Sequence, residues 1–294
     1  MQNVRRTAMS RVAAPSESRL AEIAELAEGI ADERSPDSAI DPEFIIRQKG
    51  ITLSRGAYGD SFDGMLEHRS GRFHIYCNVA RAQNSARVRF TLAHELGHYF
   101  IDDHRQALEA GLPPHQSLSE YQSDNPAELE ADHFASSLLM PRARFVKAAS
   151  RLLPGAPAIL SLAGHFDTSR TSTALRYVNL DVALCALIKW NPDGTAWRRF
   201  SGAAFRAGYR KIVTSREDVP PDSPTGKVLS GIDPTPEQFL RGTTVASQWF
   251  PFISQGTRLD VFSDEHAIPL GEYGALTLVM PRIGESDLTP SSLR

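Results

Sequence analysis

The chain of 294 residues is long enough for one large domain or for two to three small ones. Its hydrophobic content of 41% and charged content of 23% are typical of globular proteins, and its formal net charge of −3 argues against a surface built throughout for nucleic acid or anionic membrane. Only two cysteines occur, Cys77 and Cys185, so the sequence contains neither a disulfide framework nor a cysteine cluster for a metal.

The first 16 residues contain no apolar run of the length that a secretory signal needs, and we expect them to form a flexible arm. No stretch approaches the roughly 18 consecutive apolar residues of a membrane-spanning helix. These two features lead us to expect a cytoplasmic protein that does not contact membrane.

Helix and strand patterns begin after this arm. Apolar residues at helical spacing predict a helix over residues 18–34. A second helix should start at Asp41-Pro42-Glu43, where Asp can cap the first N–H groups and Pro suits the first helical position, and should end at Gly50. Residues 64–68 and 72–78 flank Arg69-Ser70-Gly71 and predict a β-hairpin.

A helix predicted over residues 86–101 carries His94, Glu95 and His98 in the pattern H-E-x-x-H. Residues four apart lie on one helical face, so the two histidines can direct their imidazoles at one ion. A bound zinc ion lowers the pKa of its water toward about 7, and Glu95 stands where it can take that proton and pass it to a leaving amine. This pattern is the metalloprotease signature, and burying these polar groups would be costly without a partner such as a metal.

Two candidates compete for the third ligand position. His104 completes the histidine spacing of metzincins, but Ile101 stands where that class has the glycine that turns the chain. A continuous helix would rotate His104 by about 240° from His98, so we expect His104 to lie on the surface, facing away from the ion.

The other candidate is Glu128, on a helix predicted over residues 126–140. Asp132 lies one turn later, where it can accept the N–H of a ligating histidine and fix its tautomer. We favour Glu128 as the ligand over Glu130, whose neighbour one turn later is the apolar Phe134. A capping role for Glu128 remains open, since Asn125 and Glu128 have the spacing of a capping box.

The second half of the chain changes from helical to strand patterns. Helices are predicted over residues 142–153 and 157–180, and the stretch 159–180 resembles a helix-turn-helix in which Asp167, Thr168 or Ser169 caps the second helix. Arg170 and Arg176 could contact phosphates, but the acidic net charge favours a packing or partner-recognition role for this segment. Strands are predicted at residues 182–188, 197–200 and 275–280, with a turn at 191–194 and a loop at 215–236.

Three stretches make the sequence similar to the ImmA/IrrE family of metallopeptidases: 89-RFTLAHELGHYF-100, 128-ELEADHFASSLLMP-141, and Asn78 at the end of a strand shortly before the motif. The similarity is dense over about residues 17–145 and looser from 146 to 294. It implies a gluzincin-like zinc site with His94, His98 and Glu128 as ligands and Glu95 as the catalytic acid/base. It also implies a substrate, since relatives cleave or antagonise Xre-type helix-turn-helix repressors of mobile-element or stress-response genes, and some pair with toxin–antitoxin operons.

We therefore expect an α+β fold with five segments. The segments are a flexible arm (1–16), a helical zincin-like metallopeptidase domain with a small sheet (17–145), a helix-turn-helix-like segment (146–180), a mixed α/β domain that is a candidate for regulation (181–283), and a tail (284–294). The expected activity is that of a zinc endopeptidase of narrow specificity that cleaves or inactivates a repressor, although Mn²⁺ or Fe²⁺ suits the same donors. The alternative is a non-catalytic anti-repressor or DNA-binding regulator with a structural metal.

Further roles near the motif are less determined by the sequence. In peptidases of this build an edge strand pairs with extended substrate, and we assign that role to residues 72–78. Cys77 in this strand is expected to be a small buried residue. An oxyanion donor could come from any of four side chains: His74, His115, Tyr121 or His133.

Overall fold

Helices and two β-sheets make up the described part of the chain, which confirms the predicted α+β fold. The computed structural model describes residues 14–33, 39–80, 84–113, 116–117, 125–193, 195–200, 219–232, 238–245, 249 and 262–282. The chain divides into two units, Met1–Pro141 and Arg142–Arg294, while the predicted domain limits stay predictions. None of the helices in the described segments has the length and apolar character that crossing a membrane requires.

The described part of the first unit combines helices with a four-stranded sheet. The helices are α1 (Glu17–Asp32), α2 (Pro42–Gln48), α3 (Ser85–Phe100), α4 (Asp102–Glu109) and α5 (Pro126–Leu139). The strands are β1 (Thr52–Gly56), β2 (Gly64–Arg69), β3 (Arg72–Asn78) and β4 (Gln116–Ser117). Their order is β1-β3-β2-β4, in which β1 and β3 are parallel and the other neighbours are antiparallel.

The predicted hairpin forms between β2 and β3. Its two loop residues, Ser70 and Gly71, have φ angles of 52° and 73°. Two consecutive residues with positive φ are the requirement of a type I′ turn, whose twist matches that of the flanking strands.

The interior position of β3 shows that one prediction was wrong. Residues 72–78 were expected to form an edge strand that pairs with substrate. Instead β1 pairs with β3 from Thr52↔His74 to Gly56↔Asn78, while β2 occupies the other side. Both edges of β3 are therefore taken by the protein's own backbone.

Asn78 closes β3 and organises the loop that precedes β2. Its side-chain amide donates to the carbonyl oxygens of Gly59 at 2.7 Å and Phe62 at 2.8 Å. The residue is fully buried, and its hydrogen bond to Phe62 is shielded from water. A structural reason thus exists for an asparagine at this position of the sequence.

Helices α3 and α5 approach each other closely at Gly97. A Cβ atom at this position would lie 3.1 Å from the Cα atom of Ala131, which is tighter than most such contacts. The predicted apolar face of α5 is buried here, with Ala131, Phe134 and Ala135 shielded completely from solvent. This packing brings the H-E-x-x-H helix directly against the helix that carries Glu128.

The described part of the second unit combines helices with a five-stranded antiparallel sheet. The helices are α6 (Arg142–Ala149), α7 (Ala156–Phe166), α8 (Arg170–Asn179) and α9 (Pro224–Leu229). The strands are β5 (Ala186–Trp190), β6 (Ala196–Phe200), β7 (Leu240–Val245), β8 (Phe262–Pro269) and β9 (Ala275–Pro281), in the order β6-β5-β9-β8-β7.

A helix-turn-helix-like connection joins α7 and α8. Asp167 ends α7 in the left-handed conformation with φ of 50°, and the Ser169 hydroxyl caps α8 by accepting from the N–H of Ser172. Arg176 on α8 is only 4% exposed, and the Arg170 guanidinium donates to the carbonyl oxygen of Pro269. The fold itself therefore engages the two arginines that were considered as phosphate contacts.

Parts of the second unit differ from the sequence prediction. The stretch 215–236, predicted as loop, contains α9, because Ser223 caps a helix whose first residue is Pro224. Strand β8, which pairs with β9 and β7, was not predicted, since Asp264-Glu265-His266 interrupts its apolar pattern. Glu265 is tolerated inside because its Oε1 atom accepts from the backbone N–H of Thr225 at 2.8 Å.

The left-handed turn supports a stability prediction. Replacing Gly71 by alanine should lower the free energy of unfolding by about 1 kcal/mol, because an L side chain is strained at this φ. Replacing Gly29 by alanine should instead raise it by a similar amount, because this glycine is helical and an added Cβ atom would meet nothing within 4 Å. Urea unfolding of both variants checks the opposite signs, and equal shifts for the two would contradict the assigned turn.

Candidate metal centre

Three predicted ligands converge in the interior of the first unit. The Nε2 atoms of His94 and His98 lie 3.1 Å apart. Glu128 places Oε2 at 3.3 Å from the His94 Nε2 atom and Oε1 at 3.4 Å from the His98 Nε2 atom. Among the described residues, this trio is a group of ligand atoms that can hold a metal ion.

The spacing of the trio fits a tetrahedral ion. Bonds of about 2.0–2.1 Å to nitrogen and oxygen place neighbouring ligands of a tetrahedron about 3.3 Å apart. The three observed separations, 3.1, 3.3 and 3.4 Å, lie near that value, with a different oxygen of Glu128 facing each histidine. Within the described residues, Glu128 Oε1 is buried without a hydrogen bond of good geometry, which a cation at the centre of the trio would compensate.

Asp132 lies where the sequence predicted it, one turn along α5 from Glu128. Its Oδ1 atom is 2.8 Å from the Nδ1 atom of His94, so Nδ1 donates to Asp132 and Nε2 is the atom directed at the other two ligands. Burial lowers the pKa of His94, but Asp132 and Glu128 outweigh it and raise this pKa to about 10. The surroundings of His94 thus strongly favour a positive charge, whether a proton or a metal ion.

The same contacts between Glu128 and the two histidines shift the pKa of Glu128 in the opposite direction. Burial raises the pKa of its carboxyl group, but hydrogen bonding and charge attraction from His94 and His98 lower it well below the usual range. Glu128 therefore remains an anion at neutral pH, as an ion ligand must be. The contacts with His94 and His98 show that Glu128 does more than cap α5, which was the alternative considered from the sequence.

Glu95 lies beside the trio and is fully buried. Burial raises its pKa to about 7, although the nearby charge of His94 partly opposes the shift. The Ser117 hydroxyl and the Leu66 backbone lie close enough to favour its charged form, but within the described residues neither carboxylate oxygen has a hydrogen bond of good geometry. A carboxyl group with this pKa can both take and give a proton near neutral pH.

Gly64 provides the space that Glu95 occupies. A Cβ atom on Gly64 would lie 2.6 Å from Glu95 Oε1 and 2.5 Å from Thr91 Cγ2. Neither Gly64 nor Thr91 was identified from the sequence, because the approach of β2 to α3 is a tertiary contact. A glycine at the start of a strand is the only signal that the sequence offers for it.

His104 and Glu130 do not belong to the trio, but His104 contacts the His98 imidazole and Glu130 contacts His104. The chain is not helical at Ile101, whose ψ of 113° ends α3 and starts α4. The expectation that His104 is a surface residue facing away was therefore wrong. Its Nδ1 atom lies 3.1 Å from the Nδ1 atom of His98, and its Nε2 atom lies 3.3 Å from Glu130 Oε2.

The remaining candidate side chains have different surroundings. His74 hydrogen-bonds to the Thr52 hydroxyl on β1. Cys77 is a buried free thiol, and burial raises its pKa to about 11, which keeps it protonated at neutral pH. His133 lies partly buried on α5, whereas His115 and Tyr121 lie outside the described residues.

Comparison with known families agrees with this centre. Residues 68–176 match the model of peptidase family M78, described as the IrrE N-terminal-like domain. This part of the chain is similar to the IrrE N-terminal-like domain. The match confirms the similarity to the ImmA/IrrE family that the motifs indicated, and it includes the trio and Glu95.

A solved structure shares the fold of this chain. It is a Mycobacterium tuberculosis transcriptional regulator, with a TM-score of 0.56 at 14% sequence identity over 88% of this chain and 76% of that chain. At this identity the likeness concerns the fold alone. No curated protein sequence matches the chain significantly.

Removing the carboxylate of the trio should abolish tight metal binding. Glu128→Ala deletes one of three converging ligands, so we expect its metal affinity to fall by at least about 100-fold. The exposed Glu109 on α4 offers a matched control, whose alanine variant should bind as the wild type does. Competition with a chelator measures both affinities, and equal affinities in the two variants would contradict the assigned trio.

Metal binding should also release a proton. The metal needs the lone pair of a neutral His94, but the pKa of this residue without metal is raised to about 10. Below that pH the dissociation constant should fall as pH rises, by up to about tenfold for each unit. Calorimetry in buffers of different ionisation enthalpy measures the release, and a heat that is independent of buffer would contradict the prediction.

Proposed function

We propose that the protein is a zinc-dependent endopeptidase of narrow specificity that cleaves or inactivates a helix-turn-helix repressor of the Xre type. The observation that carries the proposal is the convergence of His94, His98 and Glu128 with Glu95 buried beside them. Similarity of residues 68–176 to the IrrE N-terminal-like peptidase domain supports the same reaction class.

Zinc is the metal that we propose for this centre. Two imidazoles and one carboxylate form a common ligand set of catalytic zinc, and the separations of the trio suit tetrahedral bonding. The same donors also accept Mn²⁺ or Fe²⁺, so metal supply contributes to the choice. When bound, the ion supplies Lewis acidity that makes water a stronger acid and polarises a peptide carbonyl.

Glu95 is the proposed acid/base of peptide hydrolysis. With a pKa raised to about 7, its carboxylate accepts a proton from the attacking water, and its carboxyl form then donates that proton to the leaving amine. Gly64 leaves room for this side chain next to the trio. Asp132 contributes indirectly, since it fixes the tautomer and orientation of His94.

The proposed substrate rests on the resemblance to ImmA/IrrE proteins. Relatives in that family act on Xre-type repressors, and derepression of stress-response, mobile-element or toxin–antitoxin genes would be the consequence here as well. The helices α7 and α8 of this chain are joined by a short turn, as in a helix-turn-helix. A segment of this kind is suited to recognising a partner of the same build.

A second candidate is a non-catalytic regulator that sequesters a repressor or binds DNA, with the metal as a structural element. The name of the similar solved structure, a transcriptional regulator, favours this class. Its DNA-binding form gains no support from α8, because Arg176 is buried and Arg170 is bonded to Pro269. The two candidates differ in whether Glu95 is needed.

Glu95→Gln is the variant that separates them. The amide cannot take a proton from water, so cleavage should slow by about 10²–10⁴-fold while the three ligands still bind one metal ion. The assay incubates the zinc-loaded protein with the helix-turn-helix repressor encoded nearest to its gene and detects products by mass spectrometry. Glu109→Gln, an exposed change of the same kind, serves as the control.

Either of two results would contradict the proposed peptidase. Cleavage at the wild-type rate by Glu95→Gln would remove Glu95 from the reaction. The non-catalytic regulator would be favoured if the wild type and Glu95→Gln released the repressor from its operator equally well, in a metal-dependent manner and without cleavage.

A further inference from the structure

A chain of three side chains leads outward from the second histidine of the trio. His98 Nδ1 lies 3.1 Å from His104 Nδ1, and His104 Nε2 lies 3.3 Å from Glu130 Oε2. Arg19 donates to this same oxygen through Nε at 3.2 Å and through Nη2 at 3.0 Å. We call His104, Glu130 and Arg19 the His104 relay.

The tautomers of the relay follow from the centre. His98 directs Nε2 to the trio, where binding an ion requires a lone pair, so its proton resides on Nδ1. That N–H faces His104 Nδ1, which must therefore be the acceptor. The proton of His104 then resides on Nε2, from which it is donated to the Glu130 carboxylate. Each contact in the relay consequently has one donor and one acceptor.

Three acidic residues of α5 make different contacts around His94 and His98. Glu128 reaches the trio, Asp132 contacts His94 directly, and Glu130 contacts His98 through His104. His94 thus contacts a carboxylate directly, whereas His98 contacts the imidazole of His104, which in turn contacts a carboxylate.

The relay is held rigidly enough to orient a ligand. The side chains of His104, Glu130 and Arg19 are only 9%, 12% and 30% exposed. The break at Ile101 starts α4 in the direction that delivers His104, and Ile101 itself is 2% exposed. Arg19 is fixed further by Asp103, whose Oδ2 atom lies 3.0 Å from its Nη2 atom.

We propose that His104, held by Glu130 and Arg19, is a positioning residue that fixes the tautomer and orientation of His98 in the metal centre. The proposal rests on the metal-binding part of the proposed function and does not depend on peptide cleavage. The interaction is local to this chain's own residues, and its loss should appear first in metal affinity.

The test measures Co²⁺ binding by wild type and by variants of His104. Replacement by leucine removes the acceptor while retaining bulk, and should weaken Co²⁺ binding by about 10–100-fold. Asparagine places an amide oxygen close to the position of the imidazole Nδ1 atom, so His104→Asn should restore most of the affinity. Glutamine places its amide near the Nε2 position instead and should rescue poorly. His165→Leu, an exposed histidine on α7, is the matched control.

Two further readouts separate positioning from folding. Thermal unfolding of the metal-free proteins shows whether each variant is folded, and the visible absorption of bound Co²⁺ reports the geometry of its ligands. We expect His104→Leu to remain folded with an altered spectrum, and His104→Asn to keep the wild-type spectrum.

The different failures are distinguishable. Equal affinity and equal spectra for wild type and His104→Leu would overturn the relay alone. Weak binding by His104→Asn, no better than that of His104→Leu in an equally stable protein, would also overturn it. Absence of Co²⁺ binding by the wild type would overturn the metal centre itself, and with it both proposals.

Discussion

The contact between α3 and α5 is the constraint on which the candidate centre depends. Gly97 allows these helices to approach until a Cβ atom would meet the backbone of Ala131. At this distance the Glu128 carboxylate on α5 reaches the imidazoles of His94 and His98 on α3. The close packing of the two helices therefore converts two separate sequence patterns, H-E-x-x-H and E-x-E-x-D, into a single set of ligand atoms and their supporting contacts.

Electrostatics explains why so many ionisable groups are tolerated in this interior. Glu95 and Glu128 are buried with His94 and His98, and burying an isolated charge is expensive. Opposite charges offset the cost, as seen from the raised pKa of His94 and the lowered pKa of Glu128. Glu95 is the exception, since burial raises its pKa to about 7 and leaves it poised between two protonation states. This difference between two neighbouring carboxyl groups matches their different proposed roles, one as ligand and one as acid/base.

Sequence periodicity was sufficient to predict α3, α5 and the hairpin, and spacing alone brought His94, His98 and Glu128 together as candidates. The prediction did not extend to contacts that depend on tertiary packing or on one backbone angle. The position of His104 depends on a non-helical ψ at Ile101, and a residue without special conformational preference gives no signal for it. Likewise the parallel pairing of β1 along β3 could not be inferred from two short patterns, so β3 was wrongly taken for an edge strand. Strand β8 was missed because its buried Glu265 depends on a distant N–H donor, that of Thr225.

We expect two imidazoles and one carboxylate of the first unit to hold a zinc ion and to leave one coordination position open. X-ray absorption spectroscopy of the zinc-loaded protein tests it most directly. The spectrum should show four nitrogen or oxygen neighbours at about 2.0–2.1 Å, of which two are imidazoles, and one imidazole should be lost in His94→Ala. A third imidazole in the spectrum, or an unchanged spectrum in His94→Ala, would contradict it.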